Sequence, residues 1–121
     1  MKIRTILAFA NWLEKRPKEQ FEQAFYAVKT PCGTAACVAG SFCLWRGMMP
    51  VFRTNIFGHW IAIDYRQRGG RCFRASRFAQ EGMGLSPEVG AKLFSSDAKH
   101  QTPKQAAEAL RSLVANFRRK K

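Results

Sequence analysis

Arginine is concentrated between residues 46 and 77 of this chain, a segment that holds seven arginines and one acidic residue, Asp64. A guanidinium group stays charged and presents a planar fork of N–H donors, so it suits paired contacts with phosphate or carboxylate oxygens. Such an uneven distribution of positive charge favours a polyanionic partner. The seven arginines are Arg46, Arg53, Arg66, Arg68, Arg71, Arg74 and Arg77.

Aromatic residues are interleaved with these arginines, and three binding hypotheses follow. In the first, the arginines contact a nucleic-acid backbone while Trp60, Tyr65 or Phe73 stacks on bases. In the second, they meet an acidic protein surface, such as a nucleic-acid-handling host complex. In the third, arginines beside the Gly69–Gly70 turn capture a small phosphorylated ligand, with turn N–H groups forming an anion nest. The third site would use Arg66, Arg68 and Arg71.

A plainer interpretation is that the charge only keeps the protein in solution as a solvated face. We favour binding because the excess is concentrated in one segment and in the C-terminal run from Arg118 to Lys121. The candidate binding residues are Arg53, Trp60, Tyr65, Arg66, Arg68, Arg71, Arg74, Arg77, Arg118 and Arg119.

Cys32, His59 and Asp64 are the residues that could form a cysteine hydrolase of the papain-like type. A cysteine ahead of a helix, a histidine on a strand and an acidic orienter match its chemistry. Two spacings weigh against it: only 26 residues separate Cys32 from His59, and five positions place His59 and Asp64 on opposite strand faces. Cys32 as a turn residue before a helix is the alternative.

Metal and cofactor sites are not indicated by the remaining residues. The four cysteines are five, six and twenty-nine positions apart, which does not match the paired CxxC spacing of zinc sites. We therefore expect no metal and no cofactor. Free thiols are expected instead, as in a reducing cytoplasm.

The chain has 121 residues and a formal net charge of +13, with 46% hydrophobic residues, which suits one globular domain with a single core. We expect this domain to span residues 1–117, followed by a basic tail over 118–121. No signal peptide is expected at its start, because the apolar run after Met1 is interrupted by charges. No stretch reaches the length of a membrane span. A cytoplasmic protein without a membrane partner is expected.

Hydrophobic periodicity predicts helices at 5–16, 17–28, 34–46, 75–81, 87–94 and 103–117. The segment 34–46 is apolar on nearly every side, which predicts a central buried helix ended by Gly47. Residues 48–55 are expected to form a loop, and 57–74 a β-hairpin around Gly69–Gly70. Ser86 and Thr102 are placed to cap two helices. The fold class is α+β, mainly helical, with four or five helices around the buried one.

Three blocks of the sequence resemble a group of small, mostly uncharacterised proteins of phages, plasmids and bacteria. The blocks are the Cys-Gly-Thr-x-x-Cys-x-Ala-Gly motif at 32–40, Gly-Leu-Ser-Pro at 84–87, and Thr-Pro-Lys-Gln-Ala-Ala at 102–107. The resemblance covers about half of the chain and omits the arginine-rich 48–74. It implies a compact helical scaffold of mobile-element origin. Phages often use small proteins of this size to bind and disable host or defence machinery.

Together these observations predict a non-enzymatic basic binding protein of phage or mobile-element origin. Its partner is expected to be nucleic acid or a nucleic-acid-handling host or defence complex, toward which it acts as an inhibitor. The cysteine hydrolase and the binder of a small phosphorylated ligand are the alternatives.

Overall fold

A computed structural model describes residues 1–21, 27–30, 33–35, 37–54, 56–58, 60–62, 64–94 and 102–119. Within these ranges the chain combines five α-helices with seven short strands, which confirms the mainly helical α+β class. The helices are α1 Ile3–Glu14, α2 Val38–Trp45, α3 Ala75–Met83, α4 Pro87–Phe94 and α5 Pro103–Arg119. The strands are β1 Ala27–Thr30, β2 Gly33–Ala35, β3 Met49–Pro50, β4 Arg53–Thr54, β5 Trp60–Ala62, β6 Asp64–Arg66 and β7 Cys72–Arg74.

The helices form one body around a shared apolar core, called here the helical body. Phe9 and Leu13 of α1 and Leu110 of α5 are fully buried in it, because both helices repeat apolar residues at helical spacing. The two predicted N-caps are confirmed: Ser86 Oγ accepts from the Val89 N–H at 3.3 Å, and Thr102 Oγ1 accepts from the Gln105 N–H at 3.1 Å.

The buried helix predicted from the apolar run is confirmed as α2, whose residues 38–43 are all buried. It ends where expected, because Gly47 adopts φ of +81° and its N–H donates to the Leu44 carbonyl. Its start is later than predicted, since residues 33–35 form β2 and pair with β1. Helices α1, α3 and α4 pack on α2, whereas α5 packs mainly on α1.

The predicted helix at 17–28 is wrong. Residues 18–20 make one 3-10 turn and 27–30 form β1, which lies between β2 and β5 in a four-stranded antiparallel sheet of order β2-β1-β5-β4. Pairing on both edges outweighs the weak helical periodicity of this segment. The predicted loop at 48–55 likewise contains the paired strands β3 and β4.

The strands from β3 to β6 form one long bent hairpin. In the three-stranded sheet Met49 pairs with Arg66, whereas in the four-stranded sheet Thr54 pairs with Trp60, so the register shifts by one residue between the two ladders. A shift of one residue is the count of a β-bulge, which bends a hairpin and increases its twist. The predicted hairpin at 57–74 is therefore divided. Its second half is confirmed as β6 and β7 around Gly69–Gly70, whereas β5 pairs with β1 and β4.

A second, smaller core attaches this hairpin to the helices. Tyr65 is fully buried there, with Cys43 of α2 and Ala75 of α3 beside it. An aromatic contact joins β7 to α3, where the ring centroids of Phe73 and Phe78 are 5.6 Å apart. The outer surface of the three-stranded sheet, of order β3-β6-β7, is thereby held in place by side chains on its inner surface.

Candidate nucleic-acid interface

Strand register places alternate side chains of β6 and β7 on the outer surface of the three-stranded sheet. Arg66 lies opposite Cys72, and Asp64 lies opposite Arg74. Residues directly opposite in an antiparallel pair project to the same face, and diagonal neighbours lie about 7–8 Å apart. Burial agrees with this arrangement, because Arg66, Cys72 and Arg74 are exposed while Tyr65, between them in register, is buried.

Two clefts extend this outer surface in opposite directions. The first, of about 480 Å³, is lined by Arg66 and Arg68 together with Met49 and the glycines of the β6–β7 turn. The second, of about 340 Å³, lies between β7 and α3 and is lined by Cys72, Phe73, Arg74, Arg77, Phe78 and Glu81. Arg66, which lines the first cleft, and Cys72, which lines the second, are cross-strand partners. Arg66 and Arg74 share the outer surface of the sheet, Arg68 lines the first cleft and Arg77 the second. These four arginines, Arg68, Arg66, Arg74 and Arg77, are called here the arginine strip.

Carboxylates offset only part of the charge of the strip. Nε of Arg74 lies 3.9 Å from Oδ1 of Asp64, and Nε of Arg77 donates to Oε1 of Glu81 at 3.1 Å. Both pairs are solvent-exposed, and exposed pairs of this kind stabilise a protein by about 0–1 kcal/mol. Among the described residues, no carboxylate lies within ion-pair distance of Arg66 or Arg68. The strip can therefore exchange these contacts for an anionic ligand.

The other candidate arginines lie outside the strip. Arg71 projects toward the inner side, where its guanidinium carbon is 5.3 Å from the centroid of the Phe73 ring. Arg53 is exposed on β4, farther along the long hairpin. Arg118 and Arg119, assigned to a basic tail, are the last two residues of α5 and are exposed. The structure brings together four of the predicted arginines and distributes the rest.

Tyr65 is a candidate for base stacking that the structure excludes, and Phe73, a second candidate, packs on the inner side of the sheet against Phe78. The Tyr65 side chain has no solvent exposure, so no base can reach the ring. Burial also raises the pKa of its phenol well above the ordinary value, which keeps the hydroxyl neutral. The aromatic character that suggested stacking instead serves the core, where a large ring fills the space between the hairpin and α2.

Trp60 remains a candidate, and it has neighbours that the sequence analysis did not select. Trp60 is 49% exposed, Phe57 76% and Ile56 93%. These three residues, together with Arg53, define the hairpin tip between β4 and β5. The signal that could have found Ile56 and Phe57 is a pair of large apolar residues followed at once by Gly58, in a turn too short to form a core.

In the turn proposed to hold a small phosphorylated ligand, one of the N–H groups already donates a hydrogen bond within the turn. The Gly70 N–H donates to the Gln67 carbonyl at 3.0 Å, and the Gln67 N–H donates to the Arg71 carbonyl at 2.7 Å. A nest requires successive N–H groups directed at the ligand. With the Gly70 donor occupied and Arg71 on the other side, two of the predicted ligand-binding groups do not converge with Arg66 and Arg68.

Of the three residues of the hydrolase hypothesis, Cys32 and His59 lie outside the described residues. Asp64 faces Arg74 on the exposed sheet surface. Among the cysteines the structure describes, Cys37 and Cys43 are buried and Cys72 is exposed. Burial raises the pKa of the Cys43 thiol, whose Sγ lies 3.8 Å from the Ala75 carbonyl, so this cysteine is a core residue.

The described residues contain no cluster of three or more His, Cys, Asp or Glu side chains able to hold a metal ion. In the same part of the chain, no helix combines the length and apolarity that a membrane crossing requires. Compared with known proteins, the chain matches no family model, no curated protein and no solved structure.

Proposed function

We propose that this protein binds nucleic acid without catalysing a reaction, and that the arginine strip contacts the phosphate backbone. The observation that carries the proposal is the register of β6 and β7, which aligns Arg66 and Arg74 on one exposed surface between Arg68 and Arg77. A row of guanidinium groups on a firm sheet suits a repeating anion, because successive phosphates recur along a strand.

The buried side of the sheet supports the same conclusion. Tyr65 and Phe73 alternate with the arginines and fix the strand between the second core and α3. The arginine backbones are thereby positioned before a ligand arrives, so binding has to order only the side chains, and a smaller ordering cost favours affinity.

An acidic protein surface is the competing partner for the same arginines. The guanidinium group of arginine donates paired hydrogen bonds to carboxylates as well as to phosphates. The three motif blocks imply a mobile-element origin and an inhibitor role, and both are compatible with either partner. The contact chemistry proposed for the strip does not depend on that origin or on that role. A competition experiment separates the two partners: polyglutamate of matched charge should displace a labelled oligonucleotide poorly if phosphate geometry is recognised.

Salt dependence of affinity is the direct test of the strip. The binding constant of a labelled single-stranded oligonucleotide is measured by fluorescence anisotropy over a range of KCl concentrations. The logarithm of this constant, plotted against the logarithm of the KCl concentration, should have a slope of about −3 for four phosphate contacts. The triple variant R66Q/R68Q/R74Q should reduce that slope to about −1 and weaken binding at least tenfold at low salt, because each lost contact releases one counterion fewer.

A matched control removes the same three charges from the helical body. Arg4, Lys92 and Lys104 are exposed and lie on α1, α4 and α5. The variant R4Q/K92Q/K104Q therefore has the same net charge as the strip variant. It should keep a slope near that of the unmodified protein. Equal losses in the two triple variants would show that net charge alone drives binding and would reject the strip as the site.

A further inference from the structure

We propose that the hairpin tip is a stacking platform for the unpaired bases of single-stranded nucleic acid. This inference rests on the proposed function, since bases reach the tip only if the arginine strip holds their phosphates. Phe57 and Trp60 expose aromatic surface at 76% and 49%, within four residues of each other. Every base has a flat π-face, so exposed rings bind single strands with little dependence on sequence.

Continuity with the strip is the first argument. Trp60 and Arg66 lie on the same arm of the long hairpin, six residues apart. At about 3.3 Å per residue this arm spans at most about 20 Å, and the bulge shortens it. That length corresponds to about six phosphates at the spacing of one B-form strand. A short oligonucleotide is therefore long enough to span the distance between Trp60 and Arg66.

Charge around the tip is the second argument. Arg53 is exposed on β4, one residue from Thr54, the pairing partner of Trp60. From residue 46 to residue 63 the sequence contains no Asp or Glu. Arg53 itself pairs with Ile61, so its side chain projects to the face of the hairpin opposite to that of Trp60. An exposed aromatic pair in a stretch of sequence without carboxylates suits a base that carries its phosphate.

The small size of the tip is the third argument. A specific protein interface buries about 800 Å² on each partner and involves about 20–30 residues a side. Three exposed large side chains, Ile56, Phe57 and Trp60, provide much less apolar surface than that. A single aromatic side chain, in contrast, is sufficient to stack with one base. The area therefore favours bases over a protein partner.

The test compares a 12-nucleotide single strand with the matching 12-bp duplex, using anisotropy at one fixed salt concentration. Trp60→Ala should weaken single-strand binding by about 5- to 100-fold, the range for loss of one base–aromatic stack. Phe57→Ala should act in the same direction. Trp60→Phe keeps a ring and should retain most of the affinity. Duplex affinity should change less than twofold in all three variants.

Tryptophan fluorescence supplies a second measurement that does not require the alanine variants to fold. Trp12 and Trp45 are packed against the core, so Trp60 is the most exposed of the three tryptophans. The single strand should quench the fluorescence of the unmodified protein. In Trp60→Phe that quenching should disappear although binding persists.

The outcomes separate the inference from the proposed function. A steep salt slope with unchanged single-strand affinity in Trp60→Ala and Phe57→Ala overturns the platform and leaves the strip. Absence of salt-dependent binding overturns both. Binding to vesicles of three parts phosphatidylserine and seven parts phosphatidylcholine, with a blue shift of Trp60 and no binding of oligonucleotide, would make the tip a membrane contact and overturn the platform as well.

Discussion

Arginines of the helical body and arginines of the sheet differ in what they contact. On the helical side, Arg111 of α5 donates to Glu14 and, at 2.9 Å, to Asn11, both on α1. Arg16 lies 4.7 Å from the centroid of the Trp12 ring, and burial lowers the pKa of its guanidinium. On the sheet, Arg66 and Arg68 lie in an open cleft with no carboxylate within ion-pair distance in the described chain.

This comparison teaches that arginine content alone does not locate a binding surface. Arg111 and Arg16 of the helical side hold elements together, and their amide and ring contacts would have to be replaced by a ligand. Two of the strip arginines, Arg66 and Arg74, belong to a sheet whose rigidity comes from the opposite face, through Tyr65 and Phe73. We therefore expect substitutions in the arginine strip to change binding and substitutions in the helical core to change the free energy of unfolding.

The largest expected effect on stability is at Phe42, which is fully buried and contacts Phe9 with ring centroids 5.2 Å apart. Phe42→Ala should lower the free energy of unfolding by about 3–5 kcal/mol, because a large cavity replaces the ring. Trp60→Ala, at the hairpin tip, should cost less than about 1 kcal/mol. Urea denaturation measures both. Equal decreases in the free energy of unfolding would show that the hairpin tip belongs to the folded core. Binding and stability would then not be divided between two regions of the protein.

An intermediate effect is expected at Gly82 of α3. A Cβ there would lie 2.6 Å from Cε1 of Phe42, so Gly82→Ala should force the ring aside and cost about 1–3 kcal/mol. Gly90→Ala is the matched control, since its Cβ would meet the flexible Gln80 side chain at 3.2 Å. Thermal unfolding should show a larger decrease in Tm for Gly82→Ala. The reverse order would contradict the close packing of α2 on α3.

The smallest effect is expected at the ion pair of the helical body. The hydrogen bond and charge of Arg111 lower the pKa of Glu14 below 4.5. A depressed carboxyl pKa stabilises the fold above the ordinary pKa, and this contribution is lost as pH falls through the lowered value. Glu14→Gln should therefore be slightly less stable than the unmodified protein at about pH 7 and match it at about pH 2.

Glu81→Gln is the matched substitution in a second ion pair, the one that Glu81 forms with Arg77 on α3. The Arg77–Glu81 pair is more exposed than the Arg111–Glu14 pair, so its loss should change stability less at every pH. Urea titrations across this pH range measure both variants. A pH-independent difference for Glu14→Gln would show that the carboxylate charge is not what Arg111 recognises.

The sequence determined the helices and their ends to a large extent. Apolar spacing defined α1, α4 and α5, the continuous apolar run defined α2 as the buried helix, and Ser86, Thr102 and Gly47 marked helix ends by their local chemistry. These features depend on neighbours within one or two turns, so their signal is contained in short windows of the chain. The arginine density likewise indicated the segment to which the binding surface is assigned.

Only the tertiary structure decided which arginines share a face and which rings are exposed. Cross-strand register aligned Arg66 with Cys72, and the contact with Phe73 placed Arg71 on the opposite side, whereas the sequence analysis grouped Arg71 with Arg66 and Arg68. Tyr65 and Trp60 are both aromatic strand residues, yet the second core buries Tyr65, whereas Trp60 at the hairpin tip is half exposed. Strand pairing and burial arise from contacts between distant segments, and side-chain alternation converts a shift of one residue into a change of face.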